Sequence, residues 1–157
     1  MTTSIQQKRE HSAEGRATVT TYEILVSTAG DADIIGLSEE VTSLLRDSGL
    51  TAGSATVFLP GATGAITTLE FEPGVVADFQ RLFDELAAAD RDYRHNLLLG
   101  DGNGHSHIRA GLLGPSLVVP FAEARLLLGT WQEICLVCFD NRARERRLVV
   151  QFSGVSA

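Results

Sequence analysis

The second half of the chain is a succession of short segments rich in apolar and β-branched residues, separated by turn residues. The turns lie at Gly114-Pro115, Gly129 and Asp140-Asn141, and these are the residue types that turns favour. Because the strands cluster instead of alternating with helices, we expect a largely antiparallel sheet or sandwich. The predicted strands cover residues 105–112, 116–120, 124–128, 130–139 and 145–152.

The first half combines β-type segments with two amphipathic helices. Apolar residues recur at helical spacing in both, with Val41, Leu44 and Leu45 in the first and Phe79 and Leu82 in the second. We therefore expect an α+β fold, a mostly antiparallel β-sandwich with two helices. The predicted elements are a strand over 16–27, a connection over 31–36, a helix over 37–48, strands over 54–59 and 65–71, a helix over 75–89 and a loop over 91–103.

Length and composition indicate one soluble domain. The 157 residues suit a single core, and we expect a flexible segment over residues 1–15 followed by one domain over 16–157. The formal net charge of −7 disfavours nucleic acid or an anionic membrane as a partner. No apolar run approaches the roughly 20 residues that a membrane span needs, and the first residues lack the apolar stretch of a secretion signal.

The two cysteines, Cys135 and Cys138, lie three residues apart in an apolar run that is typical of a strand. Residues three apart on a strand point to opposite faces, so these thiols can neither form a disulfide with each other nor chelate one metal ion. We interpret them as small core residues. This cysteine usage and the absence of a secretion signal predict a cytoplasmic protein.

The segment from Gly100 to Arg109 concentrates functional groups after three alternating glycines. Its predicted strand would place His105, His107 and Arg109 side by side on one face, because residues two apart share a face. Asp101 and Asn103 precede this strand in the glycine-rich turn. We expect a functional site here, although one or both histidines could instead cap the turn.

Two kinds of chemistry fit these histidines. Imidazoles two apart on a strand can bind one divalent ion, with His95, Asp101 or Glu70 completing a set that contains His105 and His107. The same histidines could instead act as general acid and base near neutral pH. The alternating glycines allow a close backbone approach to an anion, or they form a tight loop that binds no ligand.

Other polar residues are candidates for contacts with a substrate. The hydroxyl of Thr63 could bind a phosphate, although its turn needs no ligand, and Gln132 could bind a heterocycle beside the only tryptophan, Trp131. Arg142 and Arg144 lie in a basic hairpin and could reach a phosphate or a neighbouring subunit. Core packing of the tryptophan and solvation of the arginines are the competing interpretations.

Four ordered motifs carry a resemblance to a known family over about residues 18–152. They are Gly-Asp-Gly-Asn-Gly-His-Ser-His-Ile-Arg-Ala-Gly-Leu-Leu-Gly-Pro-Ser from Gly100, then Val-Pro-Phe, Leu-Gly-Thr-Trp-Gln and Phe-Asp-Asn-Arg-x-Arg. Together they resemble the YjbQ-like family, whose members are commonly named secondary thiamine-phosphate synthase. The resemblance implies a compact α+β fold with a β-sandwich and a homotrimer with sites near the subunit boundaries.

The resemblance also implies a reaction and its residues. A pyrimidine methyl diphosphate would be joined to a thiazole phosphate with release of pyrophosphate, assisted by a divalent metal such as Mg²⁺ or Zn²⁺. Histidine and aspartate would hold the metal or protonate the leaving group, arginines would neutralise phosphate, and the tryptophan would stack on a ring. The matching positions are His95, Asp101, Asn103, His105, His107, Arg109, Trp131, Gln132, Arg142 and Arg144.

One departure from the family pattern affects this site. Many members carry His-Thr-Thr after the strand that ends here at Pro60, where this chain has Gly61-Ala62-Thr63, and Asn-Glu on the next strand, where it has Leu69-Glu70. A histidine and an asparagine are therefore missing. Two other functions stay open from the sequence: a metal-dependent hydrolase or lyase of another small phosphorylated molecule, and a non-catalytic protein that binds a metal or an anion.

Overall fold

The structure is a computed structural model that describes residues 13–156, so most of the predicted flexible segment over residues 1–15 lies outside the described residues. The fold is α+β and mostly antiparallel, as predicted. Its elements are β1 (Ala17–Thr28), β2 (Asp33–Gly36), α1 (Ser38–Ser48), β3 (Ala52–Phe58), β4 (Gly64–Leu69), α2 (Pro73–Leu86), α3 (Arg94–Leu99), α4 (Gly104–Leu113), β5 (Ser116–Ala122), β6 (Arg125–Leu126), β7 (Glu133–Cys138) and β8 (Arg144–Val155).

The strands form two antiparallel sheets. The larger has the order β1-β8-β3-β5-β6, and the smaller has the order β2-β7-β4. β1 pairs with β8 from Ala17 opposite Val155 to Thr28 opposite Arg144, so the first and last strands are neighbours. None of the helices between residues 13 and 156 is long and apolar enough to cross a membrane.

The smaller sheet is buried on both faces. One face packs on the larger sheet and α1, with Leu136 of β7 against Val57 and Leu148. The other face is covered by α2 and α4, where Val137 packs with Phe83. A strand buried on both sides is a continuous apolar run, which accounts for the sequence from Ile134 to Phe139.

The cysteine prediction holds in this layered arrangement. Cys135 and Cys138 are both buried and free, and alternation along β7 directs their side chains to opposite faces. Burial, together with the smaller effect of the nearby Glu133 carboxylate, raises the pKa of the Cys135 thiol to about 12. Cys135 is therefore a neutral core residue.

The helices begin and end where the local chemistry favours it. Glu72 is the N-cap of α2, and its carboxylate accepts hydrogen bonds from the backbone N–H groups of Gly74 and Val75. Pro73 follows in the first turn, where a missing N–H costs nothing. Gly49 ends α1 in the left-handed conformation that glycine adopts without strain.

The predicted strand over 105–112 is wrong, because residues Gly104–Leu113 form α4. His105 and Arg109 are buried, whereas Ile108 is half exposed, and this spacing is helical. Successive residues of a helix turn by about 100°, so residues two apart point in nearly opposite directions. His105 and His107 therefore do not share a face.

Smaller differences concern the elements around α4. The predicted loop over 91–103 contains the short helix α3, and the predicted connection over 31–36 contains the edge strand β2. The structure thus has four helices among its described residues instead of two. β7 begins at Glu133, so Trp131 lies in the preceding turn and not in the predicted strand over 130–139.

Candidate functional site

Two histidines meet where α3 turns back into α4. Gly100 and Gly102 both have positive φ, at 71° and 68°, so the turn needs residues without a Cβ. The turn brings His95 of α3 against His107 of α4, with ring centroids 4.4 Å apart and planes at 57°. We call these two residues the imidazole pair.

The polar residues of the turn hold one member of this pair. His95 Nε2 lies 3.2 Å from Asp101 Oδ1 and 3.0 Å from the side-chain amide of Asn103. The hydrogen-bond partners favour the orientation in which the amide nitrogen of Asn103 donates to Asp101 Oδ1 at 3.0 Å. Asn103 makes no capping bond to α4. In this orientation the Asn103 nitrogen also donates to His95 Nε2 at 3.0 Å, so Asp101 orients the His95 ring through Asn103.

The other two predicted members of the segment face the protein interior. His105 is 2% exposed, its Nε2 lies 3.3 Å from Ser106 Oγ, and its Nδ1 has no hydrogen-bond partner among the described residues. Burial lowers the pKa of His105, and the positive charge of Arg109 lowers it further. His105 is thus a neutral core residue on the opposite side of α4 from the imidazole pair.

Arg109 is also a structural residue. It is 0% exposed, and its guanidinium donates from Nε to the carbonyl of Ala87 at 2.9 Å and from Nη2 to Asp84 Oδ1 at 2.8 Å. These bonds tie α4 to α2 and to the chain after it. The predicted alignment of Arg109 with the histidines is wrong because the helix turns its side chain inward.

A buried group of charges lies at the end of β7. Asp140 is 1% exposed, and its Oδ2 accepts hydrogen bonds from Thr63 Oγ1 at 2.9 Å and Arg144 Nε at 2.7 Å. Arg146 Nη2 lies 3.6 Å from the same oxygen. We call Asp140, Arg144 and Arg146 the buried charge cluster.

The two arginines keep the carboxyl of this cluster ionised. Burial alone would raise the pKa of Asp140, but the hydrogen bonds from Arg144 and Thr63 and the two guanidinium charges hold it below its ordinary value. The hydroxyl of Thr63 also accepts from Arg146 Nη2 at 2.8 Å. Thr63, predicted to contact a substrate, is engaged in this internal network.

Sequence reasoning missed Asp140 and Arg146 as site residues. A usable signal existed for Arg146, since it alternates with Leu148, Val150 and Phe152 along β8 and therefore falls on the inward face. A buried arginine on an apolar strand face requires an acidic partner or an anion. Asp140 lies two residues after the last residue of the buried strand β7, and its side chain is buried as well.

The α3–α4 turn and the β7–β8 hairpin enclose a polar cleft. Its volume is about 410 Å³, and Asn141 Nδ2 holds the two sides together by donating to the carbonyl of Asp101 at 2.9 Å. We call it the arginine cleft. Its lining residues are Asp101, Asn103, Asn141, Arg142 and Arg144, four of which were predicted as site residues.

The remaining candidates line a different cleft. Glu70, Trp131 and Gln132 surround about 290 Å³, and none of the histidines is among the residues around it. Trp131 is 72% exposed, while Gln132 Oε1 accepts from the backbone N–H of Gly129 at 2.7 Å. The structure does not bring these residues into the arginine cleft of the same chain.

The described residues do not form a metal centre. Between residues 13 and 156, no group of three or more His, Cys, Asp or Glu side chains is arranged to hold an ion. The three-histidine set of His95, His105 and His107 is not assembled, because the helix directs His105 into the core. A divalent metal cofactor stays a prediction. The described residues of one chain do not by themselves provide a set of ligands for it.

Comparison with known proteins identifies the family. The family model described as "UPF0047 protein YjbQ-like" matches residues 22–155. The chain belongs to this YjbQ-like family. A UPF0047 protein of Methanothermobacter thermautotrophicus is 34% identical over 136 residues, which cover 87% of this chain and 93% of the relative. One from Archaeoglobus fulgidus is 33% identical and is covered over 98% of its length.

Solved structures of YjbQ-like proteins share the fold. A protein of unknown function from Sulfolobus solfataricus is 33% identical with a TM-score of 0.84, and the match covers 88% of this chain and 99% of that one. A hypothetical protein from Aeropyrum pernix is 31% identical with a TM-score of 0.81, covering 86% and 98%. These solved structures therefore share the overall fold of this chain.

Proposed function

We propose that the arginine cleft binds the phosphate end of a small phosphorylated molecule and that the imidazole pair serves as its acid–base group. One observation carries this proposal: Arg142 and Arg144 share a cleft with the Asp101 carboxylate that orients His95. Guanidinium groups bind phosphate through paired N–H donors. Phosphate binding and proton transfer would therefore occur in adjacent positions.

Local charge supports an anionic ligand although the chain as a whole is acidic. In the buried charge cluster, the single carboxylate of Asp140 faces two guanidinium groups, from Arg144 and Arg146. With Arg142 and the Asp101 carboxylate at the cleft, three guanidinium groups face two carboxylates, which leaves one positive charge in excess. Excess positive charge in a concave site concentrates anions there.

For the reaction, we propose the one that the family resemblance implies, thiamine-phosphate synthesis. The thiazole nitrogen would attack the methylene carbon of the pyrimidine methyl diphosphate, and the carbon–oxygen bond to the diphosphate would break with its electrons on the leaving oxygen. Arg142 and Arg144 would stabilise the charge that develops on the diphosphate. A protonated imidazole of the pair would donate a proton to the departing pyrophosphate.

We also propose that the chain works as a homotrimer. The strongest support is α3, where Leu97, Leu98 and Leu99 are 84%, 83% and 68% exposed. Consecutive exposed leucines next to a candidate site are typical of a protein interface. Light scattering should give three times the chain mass, and replacing Leu98 with glutamate should reduce that mass, whereas a monomeric wild-type chain would contradict the trimer.

The test of the proposed function is a direct assay of thiamine phosphate formation. Purified wild-type chain, both substrates and Mg²⁺ should yield thiamine phosphate and pyrophosphate, and Arg142→Met and His95→Gln should reduce the rate. Arg147→Met is the matched control, because Arg147 lies outward on β8 and pairs with the exposed Glu23. No product from the wild-type trimer would refute the synthase, and phosphate binding without product would indicate a non-catalytic anion-binding protein.

A further inference from the structure

A second cavity opens next to the imidazole pair. It has a volume of about 230 Å³ and lies between α4 and the turn that precedes β4. His107 contributes an imidazole to its wall, and Gly61, Ala110 and Gly111 contribute almost no side-chain bulk. We call it the Gly61 cavity. No Asp or Glu is among the described residues that line it, in contrast to the arginine cleft.

A buried guanidinium reaches the Gly61 wall of this cavity. Arg146 is 8% exposed, and its Nη1 lies 3.6 Å from the point that a Cβ on Gly61 would occupy. Within residues 13–156, the hydrogen bonds of this guanidinium are donated by Nη2, to Thr63 and to Cys138 Sγ. Its Nε has no partner among the described residues. The donors of Nη1, which lies beside Gly61, are thus unused within the described residues, whereas the unpartnered Nε is enclosed by the protein.

The charge of Arg146 is not balanced within its network. Asp140 is the only carboxylate that pairs with Arg146 in the described part of the chain, at 3.6 Å, and its shorter contact is to Arg144 Nε at 2.7 Å. A buried charge without full compensation is costly. A bound anion at the Gly61 wall would compensate it and would accept hydrogen bonds from Nη1.

We propose that the Gly61 cavity is a second phosphate subsite, in which Arg146 and His107 bind a phosphate group. Pockets that enclose drug-sized ligands measure roughly 300–1,000 Å³, so this cavity accepts the phosphate end of a ligand and little more. The proposal rests on the proposed function in one respect: the imidazole pair would then stand between two phosphate sites. Such an arrangement suits a reaction between two phosphorylated substrates.

The structure offers a clean blocking variant. Gly111 lies on α4 in the cavity wall, and a Cβ added there meets no atom within 4 Å, so Gly111→Leu adds bulk at this wall from a position with room for its Cβ. Gly111→Ala is the matched control, because it makes the same backbone change with little bulk. Arg146→Met removes the guanidinium directly, but the loss of a buried arginine could prevent folding. Gly111→Leu is therefore the main test variant.

The readout is the response of the imidazole nitrogens to inorganic phosphate, followed by NMR of the full ¹⁵N-histidine-labelled chain against a chloride titration of equal ionic strength. The His107 signal should shift in the wild type, in Gly111→Ala and in Arg142→Met. In Gly111→Leu the phosphate midpoint for His107 should rise at least tenfold, while the His95 response persists. An unchanged midpoint in folded Gly111→Leu, or no shift of His107 in the wild type, overturns the subsite.

Failure of the subsite and failure of the proposed function give different results. If His107 responds as described but no thiamine phosphate forms, the reaction is wrong and the subsite stands. If product forms and Arg142→Met abolishes it while Gly111→Leu binds phosphate like the wild type, the reaction stands and the subsite is wrong.

Discussion

Arg109 Nη2 donates to Asp84 Oδ1 at 2.8 Å, and this contact joins α4, which carries the site histidine His107, to α2. The arginine side chain is fully buried whereas the aspartate is largely exposed. Arg109 lies five residues beyond Gly104, so it anchors the middle of α4. The site itself is formed by the turn that precedes α4. Its role is to position α4, and it does not face the arginine cleft.

Arg109→Met should therefore reduce stability without weakening phosphate binding. The carbonyl of Ala87 loses its donor and Asp84 loses its partner, so we expect the free energy of unfolding to fall by about 1–3 kcal/mol. Urea unfolding measures the loss, and calorimetric titration with inorganic phosphate measures the affinity. A large loss of phosphate affinity in folded Arg109→Met would instead show that Arg109 takes part in phosphate binding.

The buried His105 predicts a specific dependence of stability on pH. Its pKa is lowered in the folded chain, so the unfolded chain binds more protons below the ordinary value near 6.5. Its neutral form contributes fully above that value, and stability falls as the pH drops from there towards the lowered pKa. Between neutral pH and pH of about 5, the wild type should lose more thermal stability than His105→Gln. Parallel stability curves for the two proteins would contradict this account.

Two glycines of α4 should respond in opposite directions to the same substitution. A Cβ on Gly104 would lie 2.5 Å from Tyr93 Cβ, whereas a Cβ on Gly111 meets nothing within 4 Å. Gly104→Ala should destabilise the chain by about 1–3 kcal/mol through overpacking, and Gly111→Ala should stabilise it by roughly 0.5–1 kcal/mol through helix propensity. Urea unfolding of both variants measures the two changes in stability. Equal changes would contradict the packing of α4 described above.

Asp101→Asn separates proton transfer from phosphate binding. If Asp101 orients His95 for acid–base work, the turnover number should fall about 10²–10⁴-fold. Phosphate affinity should rise or stay constant, because a negative charge leaves the arginine cleft. Asp78→Asn is the control, since Asp78 is exposed and pairs with Arg81. A variant that keeps its turnover number would remove Asp101 and His95 from the proposed mechanism.

The sequence predicts the long β-strands and the two long helices well, because burial there follows simple periods. Leu148, Val150 and Phe152 alternate on β8, and Val41 and Leu45 recur one helical turn apart on α1. Each of these elements buries one face. Under that condition the spacing of apolar residues indicates whether a segment is a strand or a helix. For this reason the antiparallel α+β architecture could be predicted from the sequence.

The site was predicted less well because polar residues in α4 imitate a strand. His105, His107 and Arg109 alternate by two, yet the buried positions are His105, Ser106, Arg109 and Ala110, which follow helical spacing. Three of these four are polar or charged, so a hydrophobicity pattern misses the helix. Arg146 was missed for a different reason. Its acidic partner, Asp140, lies six residues away in the sequence, on the other side of a hairpin.

The pairing of the first strand with the last has a consequence for biosynthesis. The only strand that β1 pairs with in the described chain is β8, and Thr28 lies 116 residues from Arg144 on that strand. A ribosome must therefore release nearly the whole domain before β1 can find its place, and pairings between distant residues form slowly. Until then Tyr22 and Ile24 have no sheet to pack on, so the nascent chain exposes an unpaired β-strand that chaperones would have to protect.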